Sequence, residues 1–192
     1  MAVKGSERSD VVRNRGRILS SAAHVLGENP NASMSEIASH SGLSRATLYR
    51  HFSSVDELMY ATREHVLTLL QSATERVQNR ASSPTEVVEE LAQELMLIAK
   101  KYRGILSTTP DIDPKFVRRR EILLENLEEV IAQGQAAGQF RQDVSPRWVL
   151  TSLLGLLESS LSAGMKANTA TAALASQTLL GGIHPQQAQE VA

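Results

Sequence analysis

Three features of the 192-residue sequence predict an all-α fold. Helix-start signals recur along the chain. The apolar residues between them fall at three- and four-residue spacing. Aromatic residues make up only 4% of the chain while Ala and Leu are abundant, which favours packed helices over a β-sandwich. There is no convincing strand, sequence repeat or low-complexity run. An apolar share of 42% with 21% charged residues excludes wholesale disorder. The absence of Cys excludes a disulfide scaffold, a Cys-ligated zinc site and a thiol nucleophile.

The elements follow from their caps and faces. Ile18, Ala22, Val25 and Leu26 line a first helix. Ser33-Met34-Ser35-Glu36 reads as a capping box opening a short second one marked by Ile37 and Ala38. Leu48 and Phe52 mark a third. Ser54-Val55-Asp56-Glu57 repeats the box before a fourth helix to Arg80, about 40 Å long at 1.5 Å per residue. Its stripe is Val55, Leu58, Met59, Thr62, Val66, Leu69, Leu70, Ala73 and Val77. Ser83-Pro84-Thr85-Glu86 opens a fifth, with Val87, Val88, Leu91, Leu95, Ile98 and Tyr102 on its face and Pro at a position where a missing N–H costs nothing. Ile105 and Leu106 suggest a short connecting turn. Asp113-Pro114 and Ser145-Pro146 start two more helices, to about Ala137 and Ala163, and Thr169 to Leu180 forms the last. Gly27, Gly42, Gly104 and Gly138 stand where helices should end or turn. The tail after Gly181 is expected to fray.

Charge divides the chain. Residues 1–53 hold seven Lys and Arg (Lys4, Arg8, Arg13, Arg15, Arg17, Arg45, Arg50) against four acids, a net +3. The rest carries 13 basic and 17 acidic residues, a net −4. A basic head on an acidic body suits a polyanion meeting the head alone, although a difference of this size also suits a solvated surface.

Within the head, Ala38, Gly42 and Leu48 have the spacing of a helix-turn-helix. A small residue lets the helices cross closely, Gly42 can take a left-handed turn, and Leu48 plugs the corner with Ile37 and Leu43. Ser44 then caps a second helix that offers Arg45, Ala46, Thr47, Tyr49, Arg50 and His51. In this motif that helix enters the DNA major groove and reads base edges. The bland alternative is a plain three-helix packing unit.

Around this spacing the sequence resembles the TetR family of bacterial transcriptional regulators, over about Arg17 to Ala61. The likeness rests on Ile18-Leu19-x2-Ala22-Ala23-x2-Leu26, on Ser35-Glu36-Ile37-Ala38, on Gly42-Leu43-Ser44-Arg45-Ala46-Thr47-Leu48-Tyr49-Arg50-His51-Phe52, and on Asp56-Glu57-Leu58. The run from Thr47 to Phe52 is highly specific. Farther on, Gly138-Gln139-Phe140-Arg141-x-Asp143 looks like the segment before that family's dimerisation helices. The resemblance implies an N-terminal three-helix DNA-binding domain (1–53, with a flexible basic arm over 1–12) and a C-terminal helical domain (54–192) for effector binding and dimerisation. It implies a ligand-responsive regulator, a dimeric repressor on a palindromic double-stranded DNA operator, released by an unidentified small molecule. Arg45 and Thr47 match positions that reach bases. Tyr49 and His51 match phosphate contacts, and Ser33 a phosphate-binding helix start; phosphate contacts position, base contacts specify. His51 has the alternative of a partly buried histidine bonded to a neighbouring helix. Val55 stands where many members carry Lys, so one phosphate contact is missing.

The helix from Pro146 to Ala163 is apolar around most of its circumference, which calls for burial on two sides. One side faces its own core and the other a second copy, through Leu153, Leu156, Leu157 and Leu161 with Ala172 and Ala175 of the last helix, as a four-helix bundle. The alternative is an internal helix of a monomer. The resemblance also implies an effector pocket, with candidates Met59, Arg63, Leu95, Met96, Tyr102, Phe116, Arg119, Leu123, Trp148 and Thr151. Arg118-Arg119-Arg120 suits an acidic ligand or, more commonly, a solvated face.

Rival functions have little support. No Gly-rich phosphate loop, nucleophile elbow or His-Glu-x-x-His occurs, and the five His lack metal-ligand spacing, so no enzyme, cofactor or metal is expected. An interaction module that no longer binds DNA rests on Val55 alone. The polar, basic N-terminus and the absence of a long apolar run point to a cytoplasmic protein with no membrane partner.

Overall fold

The computed structural model describes residues 3–107 and 114–183, and among these it contains eight helices and no strand. They are α1 (Val3–Glu28), α2 (Met34–Ser41), α3 (Arg45–His51), α4 (Val55–Arg80), α5 (Pro84–Ser107), α6 (Pro114–Ala136), α7 (Pro146–Ser162) and α8 (Thr169–Ile183). Two compact units are formed. One comprises α1 to α3, α4 up to Thr68 and α5 from Lys101. The other comprises α4 from Leu69, α5 up to Lys100, α6 from Val117, α7 and α8. The division between these compact units falls inside α4.

In the first unit α1 packs on α2 and α2 on α3. Ile18, Leu19, Ala22, Ala23 and Leu26 on α1, Ile37 and Ala38 on α2, and Leu48 and Phe52 at α3 are all buried. Each large side chain among them contributes about 1.5–3 kcal/mol by leaving water. Ser33 opens α2 with a complete capping box. Gly42, at φ +65°, closes it: its N–H and that of Leu43 reach the carbonyls of Ser39 and Ala38, the pairing that ends a helix in a left-handed turn.

In the second unit α7 packs on α8. The core there joins Val88, Leu91, Ala92 and Met96 of α5 with Leu127 and Ile131 of α6, Phe140, and the inner faces of α7 and α8. The α6–α7 link is held by its own polar groups. Buried Gln135 donates from Nε2 to the carbonyls of Arg141 and Val144, both at 2.8 Å. The Arg141 N–H donates to the Ile183 carbonyl at 2.8 Å. Gly138 turns at φ +72°. Ser145 caps α7 by accepting from the Trp148 N–H at 3.2 Å, with Pro146 at the first position as expected.

Several expectations are corrected. α1 is described from Val3, so residues 3–12 of the stretch expected as a flexible arm are helical backbone, with no proline to interrupt them; the side chains of Lys4, Arg8 and Arg13 lie outside the described residues, as does the Asp113 cap. Gly27 and Gly104 lie within helices, because a helix interior tolerates Gly at a cost of about 1 kcal/mol; α5 accordingly runs through the turn expected at Ile105 and Leu106. α8 continues past Gly181 to Ile183, which is buried and tied by Arg141. Only α2 closes its box on the cap residue. In α4 and α5 the hydroxyls of Ser54 and Ser83 accept from the amides of Glu57 and Glu86, but each glutamate reaches one residue further back, to the N–H of Ser53 or Ser82. Ser53 also donates its hydroxyl to the Glu57 carboxylate.

The interface expectation changes most. Leu153, Leu157, Leu161, Ala172 and Ala175 are buried in their own chain, and Leu156 is half-buried. The faces that α7 and α8 leave open carry Trp148, Thr151, Leu154, Gly155 and Glu158 on α7, and Ala170, Leu174, Gln177 and Thr178 on α8. No described helix is long and apolar enough to cross a membrane.

Candidate nucleic-acid interface

α3 is fixed from within and presents a polar outer face. Its cap, Ser44, accepts from the Thr47 N–H at 3.1 Å, and the two hydroxyls lie 2.8 Å apart. Leu48 is fully buried and Phe52, with extended backbone, ends the helix in the core. A seven-residue helix with one buried anchor turns the rest of its circumference outward: Arg45, Ala46, Tyr49 and Arg50 are exposed, as is Ser44. Tyr49 is 48% exposed, consistent with a side chain that reaches a backbone phosphate. Thr47 is half-buried with its hydroxyl against Ser44, so reaching a base requires that hydroxyl to turn.

His51 and Ser33 sit differently from expectation. His51 is half-buried, and its Nε2 is shielded from solvent with no hydrogen-bond partner, its ring 6.4 Å from that of Phe52. That nitrogen makes no hydrogen bond to a neighbouring helix. Ser33 is exposed, but its hydroxyl donates to the Glu36 carboxylate at 2.7 Å, and the Ser33 N–H donates to the same oxygen at 2.7 Å. These bonds, the backbone one foremost, hold the Glu36 carboxyl below the usual carboxylate range. An anion at this helix start would have to displace that carboxylate. Val55 is half-buried and offers no cation of its own at the start of α4.

The basic residues of the head divide once their partners are known. Arg45 and Arg50 lie on the open face of α3. Arg17 donates to the Ser41 carbonyl at 2.8 Å, and the Arg15 guanidinium lies 5.0 Å from the centre of the Phe52 ring. Neither role is visible in spacing, which records that an arginine is present but not which way it folds. In the same unit His65 Nε2 lies 3.2 Å from the Tyr102 hydroxyl. Burial, with the nearby Arg15 charge adding to it, holds the His65 imidazole below its ordinary range, and burial pushes the Tyr102 phenol up.

The effector candidates do not fall into one compact unit. Met59, Arg63, Tyr102 and Phe116 belong to the first, and Leu95, Met96, Arg119, Leu123, Trp148 and Thr151 to the second. Met96 is fully buried in the core. Arg119 and Thr151 are exposed, and Trp148 is 53% exposed on the open face of α7.

Residues 18–62 match the family model described as bacterial regulatory proteins, tetR family. The chain is 28% identical over 138 residues, 67% of its length and 71% of the relative's, to the HTH-type transcriptional regulator NfxB of Pseudomonas aeruginosa. It is 27% identical over 153 residues, 79% of each chain, to the HTH-type transcriptional repressor LfrR of Mycolicibacterium smegmatis. Its fold is that of the ketosteroid transcriptional regulator KstR2 of Mycobacterium tuberculosis, with a TM-score of 0.72 at 20% identity over 90% of this chain and 95% of the other. A similar likeness holds for the TetR family regulator PfmR of Thermus thermophilus, at a TM-score of 0.68 and 24% identity over 86% and 97%. Residues 18–62 thus carry a helix-turn-helix head that matches the tetR-family model, and the chain has the all-α fold of the TetR family regulators it resembles.

Proposed function

We propose that the protein is a ligand-responsive repressor. A dimer binds a palindromic operator through α3 and leaves it when a small molecule binds the helical body that follows residue 53. The observation that carries this reading is the outer face of α3, where Arg45, Ala46, Tyr49 and Arg50 stand open around a buried Leu48. Arg45 reads a base edge and Tyr49 holds a phosphate. A relative that is itself a repressor supports the sign of regulation. Its place of action is the cytoplasm, where the DNA lies. An effector acts by preferring the conformation in which the two α3 helices no longer match the operator. A hundredfold release requires about 2.7 kcal/mol of differential affinity.

Selection of genomic DNA fragments on the purified protein recovers the operator and its symmetry together. On that site Arg45→Ala is expected to cost about 1–3 kcal/mol, with little loss on random DNA, whereas Tyr49→Ala weakens both. Titration across salt reads both variants, and equal losses for Arg45→Ala on the two DNAs would remove its base-reading role.

The same reading places the dimer contact on the open faces of α7 and α8, where Leu154 and Leu174 are 38% and 49% exposed. The double variant Leu154→Glu/Leu174→Glu is expected to sediment as a monomer at concentrations where the parent is a dimer, with unchanged helix content, because two facing carboxylates would lose water on association. A variant that still sediments as a dimer moves the contact elsewhere.

A further inference from the structure

Two arginines of the basic head are engaged by the head itself, at opposite ends of its recognition element. Arg17 donates from Nη2 to the Ser41 carbonyl at 2.8 Å. The turn at Gly42 already satisfies the carbonyls of Ala38 and Ser39, so Arg17 takes up one that the turn leaves over, at the negative end of α2. A Cβ on Gly42 would lie 3.2 Å from that same Nη2, which shows how closely the guanidinium covers the turn into α3. At the other end, the Arg15 guanidinium lies 5.0 Å from the centre of the Phe52 ring, and Phe52 is the residue on which α3 stops. Residues two apart on a helix point to diverging sides. From a single turn of α1, then, one guanidinium reaches the start of the α2–α3 turn and the other the end of α3. Arginine suits both places: its planar fork donates to a carbonyl and stacks on a ring, which an ammonium does less well.

We propose that Arg15 and Arg17 are positioning residues for DNA recognition, which hold the two ends of α3 against α1 and do not themselves touch the duplex. The proposal rests on the reading of α3 as the DNA-reading helix.

A phosphate contact and a positioning contact differ in salt dependence. Losing one phosphate contact flattens the plot of log affinity against log salt by about 0.9, whereas loosening α3 lowers affinity and leaves the slope alone. Arg17→Gln is expected to weaken operator binding about tenfold at an unchanged slope, and in the DNA-free protein to speed amide exchange from Gly42 to Leu48 about tenfold while Leu153 exchanges as before. Arg15→Gln is expected to do the same at Phe52 and the last residues of α3. A flattened slope with unchanged exchange would make either arginine a phosphate contact and overturn the proposal. Faster exchange without loss of operator binding would overturn it equally. If the parent protein shows no salt-dependent DNA binding, the reading of α3 fails, while the exchange rates still report whether the clamp exists.

Discussion

Gly134→Ala is expected to destabilise the protein, although Gly134 lies inside α6, where alanine ordinarily improves a helix by about 1 kcal/mol. The reason is space. A Cβ at this position would lie 2.5 Å from two ring carbons of Phe140 and 2.9 Å from the Cβ of Pro84. The Phe140 ring is 1% exposed and sits in the core of the second unit, and Pro84 is a rigid ring at the start of α5, so neither is the loose end of a flexible chain. Overpacking of this kind costs about 1–3 kcal/mol and occasionally more. The backbone there is also committed, because the Gly134 carbonyl accepts from the N–H groups of both Gln139 and Phe140. The net loss, about 2 kcal/mol, should lower Tm by about 4–8 °C for a chain of this length. Gly16→Ala provides the opposite sign in the same protein. Gly16 lies in α1 with nothing within 4 Å of a Cβ, so the helix gain stands unopposed and Tm should hold or rise. A Gly134→Ala protein that melts at or above the parent's temperature would show that the Phe140 ring yields.

How far the molecule could be read from its sequence depends on whether the signal is local. Caps and Pro starts are local, and they placed six of the eight helix starts at or within a residue of Met34, Arg45, Val55, Pro84, Pro114 and Pro146 among the described residues. The spacing of Ala38, Gly42 and Leu48 is local too, and all three occupy the places that physics assigns: the first buried at a crossing, the second left-handed, the third in the corner. What spacing could not supply was direction. Arg15 and Arg17 count as positive charge wherever they point, and only the fold shows them turned onto Phe52 and Ser41. The phase of α7 was hidden for a related reason. With Leu at 150, 153, 154, 156, 157 and 161, nearly any face can be taken as the inner one, and the face that lost water is Val149, Leu150, Leu153, Leu157 and Leu161, leaving Leu154 outside. The glutamates at the starts of α4 and α5 reach one residue further back than the capping box predicts, to Ser53 and Ser82, where a second serine precedes each cap.

Leu48→Ala should have the largest effect on the head, and it would act without touching the outer face of α3. Leu48 is fully buried and is the one buried residue within that helix. Truncating a leucine at such a site costs about 2–5 kcal/mol, the transfer of the lost atoms plus the cavity they leave. The small unit of α1 to α3 has few other anchors for α3: Ser44 caps its start and Phe52 closes its end. Phe52→Ala would be harder to interpret, since the ring also lies beneath Arg15. On the chain as a whole, the expected fall in Tm is about 5–15 °C, or a separate early transition if the head melts before the body. Operator binding should fall with it, but through the population of folded head and not through a lost contact. The salt slope would therefore stay that of the parent, and cooling toward the temperature of maximum stability should restore part of the affinity. An Arg45→Ala loss, by contrast, would persist on cooling, because the head remains folded and only a base contact is missing. If Leu48→Ala melted like the parent, the corner between α2 and α3 would be held by something other than its buried side chain.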